Sequence, residues 1–349
     1  MRIAITGATG NVGTTLISAL AEEAEVESIV GIARRRPEWA APKTTWVTAD
    51  VERDDLTEHF TGADAVVHLA WLFHPMRNSR ITWDANVLGS IRVFRAAANA
   101  GASTLVYASS VGAYSPGPQH EAVDETWPTH GWPIAAYSRE KAYVERVLDT
   151  FEHEHPDIRV VRMRPGFIFK RESASQQRRM FAGPLAPNRL LRPDRIPVVP
   201  DFPGLRFQAL HSADAAQAYR LALLREVRGA FNLAAEPVVD AGVLAEIFDA
   251  RTVQMPLPAV RAAVTTLFRL HAIPVEPALL DVLVRVPLLD TSRARDELGW
   301  HPEHNSVFAL LDVFTGMREG AGLPTPPLDP DTSGRLRSHE IATGVGEQA

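Results

Sequence analysis

The chain has 349 residues, 46% of them apolar and 22% charged, with a formal net charge of −6: material for one large core, or for a core and a smaller lobe. A mildly acidic surface gives nucleic-acid phosphates no basic patch, and a sequence without cysteine has no disulfide, thiolate metal site or thiol nucleophile, with a reducing compartment as the default. The chain starts directly on an apolar run, and Arg261, Arg269, Glu276 and Arg285 break the most apolar later stretch short of the ~20 residues of a membrane span, so a cytoplasmic protein is expected.

Ile3–Thr6 reads as the first strand. It runs straight into Gly7-Ala8-Thr9-Gly10-Asn11-Val12-Gly13 and then an apolar helical pattern through Leu20. Glycines three apart permit a tight strand-to-helix turn, and the helix start presents free N–H groups and a positive dipole end, so a nucleotide diphosphate is expected here. Ser28–Ala33 reads as the second strand. A carboxylate at its end would hold a ribose 2′-hydroxyl; this chain has Ala33 followed by Arg34 and Arg35, which suits a 2′-phosphate and favours NADP(H) over NAD(H). A solvated basic loop is the other reading of the two arginines. After a third strand, Thr45–Val47, Asp50 is placed either to accept from an adenine amino group or to cap the next helix.

A fourth strand, Ala65–Leu69, precedes a helical pattern in which Ile81, Ala85, Leu88, Ile91 and Phe94 share a face. Thr104–Ala108 follows as a strand ending in Ser109-Ser110, where a hydroxyl can reach a ligand at the sheet edge or simply make a turn. Tyr137 and Lys141 are four apart in a helix-compatible run, so one helix face carries both. In a chain with these few tyrosines and lysines, random placement gives ~0.04 such pairs. A free phenol, with a pKa of about 10, is inert at neutral pH, and an ammonium about 4 Å away would pull it down by roughly three units. Tyr137 is therefore expected to pass a proton and Lys141 to tune it and to grip a nicotinamide ribose. Arg159–Met163 is the last strand of this alternation, which predicts a parallel sheet with helices on both faces.

Beyond Arg164 the prolines at 165, 184, 187, 193, 197, 200 and 203 break the chain into loops suited to lining a cleft. The histidine-rich run Glu152-His153-Glu154-His155 reads as a solvated helix end before Pro156, and no metal is expected.

With these residues in order, the chain resembles the extended short-chain dehydrogenase/reductases, the group with nucleotide-sugar epimerases, dehydratases and several ketone reductases. The likeness runs from Arg2 to about Pro302 through the glycine turn, Asp50, His68-Leu69-Ala70, Asn86, Ser109-Ser110, Tyr137 with Lys141, Arg164-Pro165-Gly166, His211 to Asp214, and Leu298-Gly299-Trp300. It implies a Rossmann-type α/β fold, a doubly wound parallel sheet with a smaller C-terminal substrate-binding lobe. The expected division is 1–165 with segments around 205–235 returning to it, 166–318 as mainly the lobe, and 319–349 as a loosely ordered tail. Ser110, with Ser109 in support, Tyr137 and Lys141 match the catalytic positions. Gly7, Thr9, Gly10, Asn11, Val12, Gly13, Asp50, Val51, Leu69, Ala70 and Pro165 match cofactor positions, with Arg34 and Arg35 added from the reading above. His68 is expected to pack near the cofactor, Asn86 to order the central helix, and the helices of Asn86 and Tyr137 to support a possible homodimer.

Departures bear on the substrate. Val111 and Gly112 stand where dehydratases place an acidic pair, and Phe207 stands where epimerases place a diphosphate-binding arginine, with Arg206 one residue off. Arg285-Val286-Pro287-Leu288 replaces the arginine-proline-glycine-aspartate stretch. Pocket candidates Trp71, Phe73, Phe167, Phe169, Met180 and Phe181 lean toward a less charged carbonyl or alcohol substrate. The expected activity is an NAD(P)-dependent oxidoreductase; an epimerase with tightly held NAD and a non-catalytic dinucleotide sensor are the alternatives.

Overall fold

Ile3 and Ile5 face one side of the first strand and Ala4 the other, and the same period of two runs through the strands that follow. The computed structural model describes residues 1–73, 78–118, 120–183 and 196–333; Pro184, Pro187 and Pro193 lie outside them. Its main sheet contains β1 (Arg2–Thr6), β2 (Ser28–Ala33), β3 (Thr44–Thr48), β4 (Ala65–His68), β5 (Thr104–Ala108), β6 (Arg159–Pro165) and β7 (Gly229–Leu233). All pair in parallel in the order β7-β6-β5-β4-β1-β2-β3, a doubly wound Rossmann-type sheet. The six runs read from periodicity are six of its strands. Periodicity does not pick out β7, because Gly229 and Asn232 interrupt its apolar pattern. Buried Asn232 instead ties the strand down, donating to the Val123 and Asp290 carbonyls at 3.1 Å each and accepting from the Tyr114 hydroxyl at 2.6 Å.

The main helices are α1 (Asn11–Ala21), α2 (Gly89–Asn99), α3 (Ala136–Glu154), α4 (Ser212–Leu224), α5 (Pro277–Leu283) and α6 (Ser306–Glu319). Leu16, Ile17 and Leu20 of α1 pack with Ala215 and Tyr219 of α4 on one face of the sheet, against Ile3, Ile5 and Phe231. Val93 and Phe94 of α2 pack with Val144, Leu148 and Phe151 of α3 on the other, against Ala4, Val66 and Leu105. Each such side chain taken fully out of water contributes roughly 1.5–3 kcal/mol.

Two expectations need correction. The helical face read from Ile81 to Phe94 is out of phase: Leu88 is 37% exposed, while Asn86, Val87, Ser90, Val93 and Phe94 are buried. Trp83–Leu88 winds as a π-helix, whose wider turn rotates the buried stripe and turns Asn86 inward. The segment after Glu319 is packed over its described part, residues 320–333, where Thr325 and Leu328 are fully buried. Residues 334–349 lie outside the described residues.

The chain reverses direction across the sheet between β1 and β4, which are neighbours with Thr6 opposite His68 at their C-terminal ends. Ligands in open parallel sheets enter at such a switch point. The glycine turn follows Thr6, and Leu69-Ala70 follows His68, so both sides of that crevice are built from backbone.

Candidate active site

Gly7 adopts φ +70°, and a Cβ there would lie 2.5 Å from the Ala70 nitrogen; one on Gly13 would lie 2.5 Å from the Gly7 carbonyl. The first contact closes the turn onto Leu69-Ala70 and the second sinks α1 onto β1. A Cβ on Gly10 would meet only the Gly7 oxygen, at 3.4 Å. Gly10 caps α1 without a side-chain hydrogen bond, and no acidic residue stands in the first turn. The N–H groups of Asn11, Val12 and Gly13 therefore open on a helix start that lacks an anion of its own, and Asn11 Oδ1 is buried without a partner. These features fit a dinucleotide diphosphate. Gly7 and Ala8 N–H donate to the Ile32 carbonyl at 3.1 and 3.4 Å, tying the end of β2 to the turn. Exposed Arg34 and Arg35 follow directly. Asp50 Oδ1 accepts the Glu52 N–H at 3.0 Å, a turn cap, and Val51 packs against Gly89. Pro165 ends β6 beside Leu233.

Tyr137 and Lys141 both lie in the first turns of α3, the spacing's expected outcome. Ser138 pins that helix start: its Oγ donates to the Gly112 carbonyl at 2.5 Å and accepts the Trp132 N–H at 2.6 Å. Gly112 follows Ser110 on the turn after β5, and a Cβ on it would lie 2.8 Å from Tyr137 Cε1. Glycine at 112 is what lets the phenol ring approach Ser110. The sequence signal was present in Ser110-Val111-Gly112, but only the packing gives it meaning.

The Lys141 ammonium has contacts of its own besides the helix face it shares with Tyr137. Its buried ammonium donates to the Ala108 carbonyl at 2.6 Å and lies 3.4 Å from the centroid of the Trp71 ring. Burial pushes the Tyr137 phenol up to about 12, with the Ser110 hydroxyl pulling it partly back. The cation meets a carbonyl and a ring face, while the phenol sits among Trp71 and Phe73, with ring centroids 6.1 and 4.8 Å away. Burial also holds Lys141 well below the usual ammonium range, against the pull of Glu145 and Glu140.

A cleft opens against Tyr137, lined by Trp71, Phe73, Asn86, Glu140, Glu276 and Leu279 among others. Asn86 holds its wall: Oδ1 accepts the Leu72 N–H at 2.7 Å, while Nδ2 donates to the Leu72 carbonyl and to Glu140 Oε2 at 3.2 and 2.9 Å. Burial raises the Glu140 carboxyl from its ordinary value, with the Thr82 and Asn86 hydrogen bonds opposing. Glu276 is raised by burial too, with Arg139 opposing and Glu140 adding to the rise. Neither carboxylate was singled out from sequence. Glu140 hides inside the Tyr-to-Lys spacing and Glu276 comes from 136 residues later in the chain, just before α5. Of the other pocket candidates, Phe181 touches Phe73 at 5.8 Å, whereas Phe167 turns to Phe207 and Phe169 joins a separate cluster, with Met180 buried.

Several remaining motifs are structural. Ser109 donates to buried Glu145 at 2.5 Å. His68 is buried between the Thr6 and Ser90 hydroxyls at 2.7 and 2.9 Å, and burial drives it down to about 3, so it is neutral. Asp214 accepts the Glu303 and His304 N–H groups at 2.8 and 3.1 Å, and the Trp300 indole donates to its carbonyl at 2.8 Å. That joins two sequence motifs some 85 residues apart. His211, Asp214 and His304 come within 4.8 Å of one another, but Asp214 is already engaged by backbone. In the run before Pro156, Glu152 pairs with Arg162, and the His155 ring packs at a tilt on Phe151, centroids 4.6 Å apart. No helix among the described residues is long and apolar enough to cross a membrane.

A family model described as the NAD dependent epimerase/dehydratase family matches residues 3–234. An uncharacterized protein of Mycobacterium tuberculosis is 28% identical over 326 residues, 93% of this chain but 31% of that protein, so the chain spans about a third of that relative's length. The 4-hydroxy-2-methyl-3-oxo-4-farnesyl-3,4-dihydroquinoline-1-oxide ketoreductase of Stigmatella aurantiaca is 31% identical over 176 residues, 48% of this chain and 51% of that protein. The solved UDP-glucose 4-epimerase of Thermus thermophilus in complex with NAD aligns with a TM-score of 0.65 at 19% identity, covering 91% of this chain and 99% of that one, a likeness of fold.

Proposed function

The chain belongs to the NAD dependent epimerase/dehydratase family, and from that membership we propose that this enzyme is an NADP(H)-dependent reductase of a weakly charged carbonyl compound. The observation that carries the reading is the cleft against Tyr137. Its aromatic wall of Trp71 and Phe73 and its two carboxylates, Glu140 and Glu276, would repel a diphosphate and accept an apolar or hydroxyl-bearing ketone. The ketoreductase relative supports the same direction. In this reading residues 1–165 with α4 and β7 form the dinucleotide half, and most of 166–318 the substrate lobe.

A dinucleotide held at the glycine turn would supply the hydride that reduction of a carbonyl carbon requires. The Ser110 hydroxyl donates a hydrogen bond to the carbonyl oxygen, and the Tyr137 phenol delivers the proton that completes the alcohol. A phenol raised to about 12 stays protonated at neutral pH, so it stands ready as the donor that reduction needs. Lys141 would hold the nicotinamide ribose, and Gly7, Thr9, Gly10, Asn11, Val12, Gly13, Asp50, Val51, Leu69, Ala70 and Pro165 would line the rest of the dinucleotide. Arg34 and Arg35 would meet a 2′-phosphate.

A second reading, an epimerase that keeps its NAD through the cycle, draws on the fold of the Thermus enzyme. The deciding experiment is to purify the protein without nucleotide, denature it and identify any released dinucleotide by mass. An empty protein that binds NADPH more tightly than NADH and consumes it with a ketone panel supports the reductase. Stoichiometric NAD, with interconversion of nucleotide sugars and no ketone turnover, overturns it.

A further inference from the structure

The residue that closes on the back of the glycine turn comes from the far end of the chain. Thr325 is fully buried, and its Oγ1 donates to the Thr9 carbonyl at 3.0 Å. It sits in a tight turn: its N–H donates to the Leu323 carbonyl at 2.7 Å, and its own carbonyl accepts the Leu328 and Asp329 N–H groups at 2.9 and 2.8 Å. Leu328 is fully buried beside it. The Arg179 guanidinium holds the far side by donating to the Pro327 and Asp329 carbonyls, and Ser175 holds the near side through the Ala321 carbonyl at 3.2 Å. This segment lies outside the residues 3–234 that the family model matches.

The Thr9 carbonyl and the Gly10 N–H belong to one planar peptide group. The Gly10 N–H donates to the Gly7 carbonyl at 3.1 Å, so Thr325 ties the other end of the same group. With both ends held, this peptide cannot rotate its carbonyl toward the helix start, where a negative dipole end would oppose a diphosphate. Gly10 on one side of this peptide gives the turn freedom to make that rotation; the hydroxyl removes it.

We propose that Thr325 is a positioning residue for the dinucleotide, and that Leu323–Asp329 acts as a strap that locks the glycine turn in its diphosphate-receiving form. The proposal rests on the reading of that turn as a dinucleotide site, and not on which carbonyl compound is reduced.

The test measures the dissociation constant of NADPH and NADH by titration of the full chain, with Thr325→Val and Thr325→Ser beside the wild type. Thr325→Val keeps the shape and removes the donor, and a rise of about five- to tenfold is expected, with Thr325→Ser within about twofold of wild type. A folded Thr325→Val protein that binds like the wild type overturns the strap. If that variant does not fold, hydrogen exchange of the wild type decides. Saturating dinucleotide should slow exchange at the Leu328 and Asp329 amides by at least about tenfold, and unchanged exchange there overturns the proposal. A wild type that binds neither dinucleotide overturns the strap and the reading beneath it together, whereas binding that ignores Thr325 overturns the strap alone.

Discussion

One turn of α3 separates Lys141 from Glu145, and the two buried charges have opposite surroundings. Glu145 is fully buried and saturated: Arg164 grips both of its oxygens at 2.9 and 3.0 Å, Arg162 adds a contact at 3.0 Å, and Ser109 donates a further hydrogen bond. Although burial opposes it, this company holds the carboxyl down at about 2. Lys141 has a carbonyl and a ring face instead of a carboxylate, and burial depresses it. A charge whose partners are complete stabilises the fold, while a charge left with a carbonyl and an aromatic face keeps capacity for a ligand. The same helix thus bolts itself to β6 at one point and, in the proposed reading, presents a reactive edge at another.

The contrast can be broken by substitution. Tyr137→Phe should lower turnover by roughly 10²–10⁴-fold with dinucleotide affinity and unfolding midpoint unchanged, since a phenol hydroxyl at the cleft serves chemistry and not packing. Steady-state kinetics beside dinucleotide titration read this directly, and retained turnover removes Tyr137 from the proposed role. Glu145→Ala should do the reverse. It leaves Arg164 buried with no carboxylate and should destabilise the fold by about 3–5 kcal/mol in urea unfolding. A small loss there would mean that the network is not structural.

A third effect separates the buried imidazole from both. His68 sits at about 3 in the folded chain against 6.5 unfolded, so below pH 6.5 the unfolded chain binds the extra proton. Stability is present above that pH and declines as pH falls toward the folded value, by about 2 kcal/mol on reaching about pH 5. Glu145 acts in the same sense but lower, between 4.5 and about 2. His68→Gln should flatten the upper part of the profile and leave the lower part, and a variant whose curve follows the wild type would shift the cause elsewhere. Smallest of all, Trp71→Leu should cost about 0.5–2 kcal/mol through the lost ring over Lys141. If it costs as much as Glu145→Ala, the two charges are not different in kind.

Much of this was legible in the chain, and the reasons differ by residue. The glycine turn, the strand periods and the pairing of Tyr137 with Lys141 are local: each depends on a few neighbouring residues and on the geometry of one strand or helix. The buried stripe of the central helix was misread because a π turn leaves no mark in apolar spacing. Ser109 and Ser110 are adjacent and chemically identical; the resemblance singled out Ser110, but only the packing of α3 showed that Ser109 is engaged by Glu145.

By itself the sequence determined six strands of the parallel sheet, the glycine turn after the first of them and the helix that carries Tyr137 and Lys141, because short-range periodicity and backbone sterics fix those. Tertiary structure alone decided where the charges go. It put Trp71 over Lys141, brought Glu276 beside Glu140, and laid Thr325 on Thr9 across 316 positions. Burial and partners set a group's protonation and reach, and contacts between distant segments have no signature in the spacing of either one.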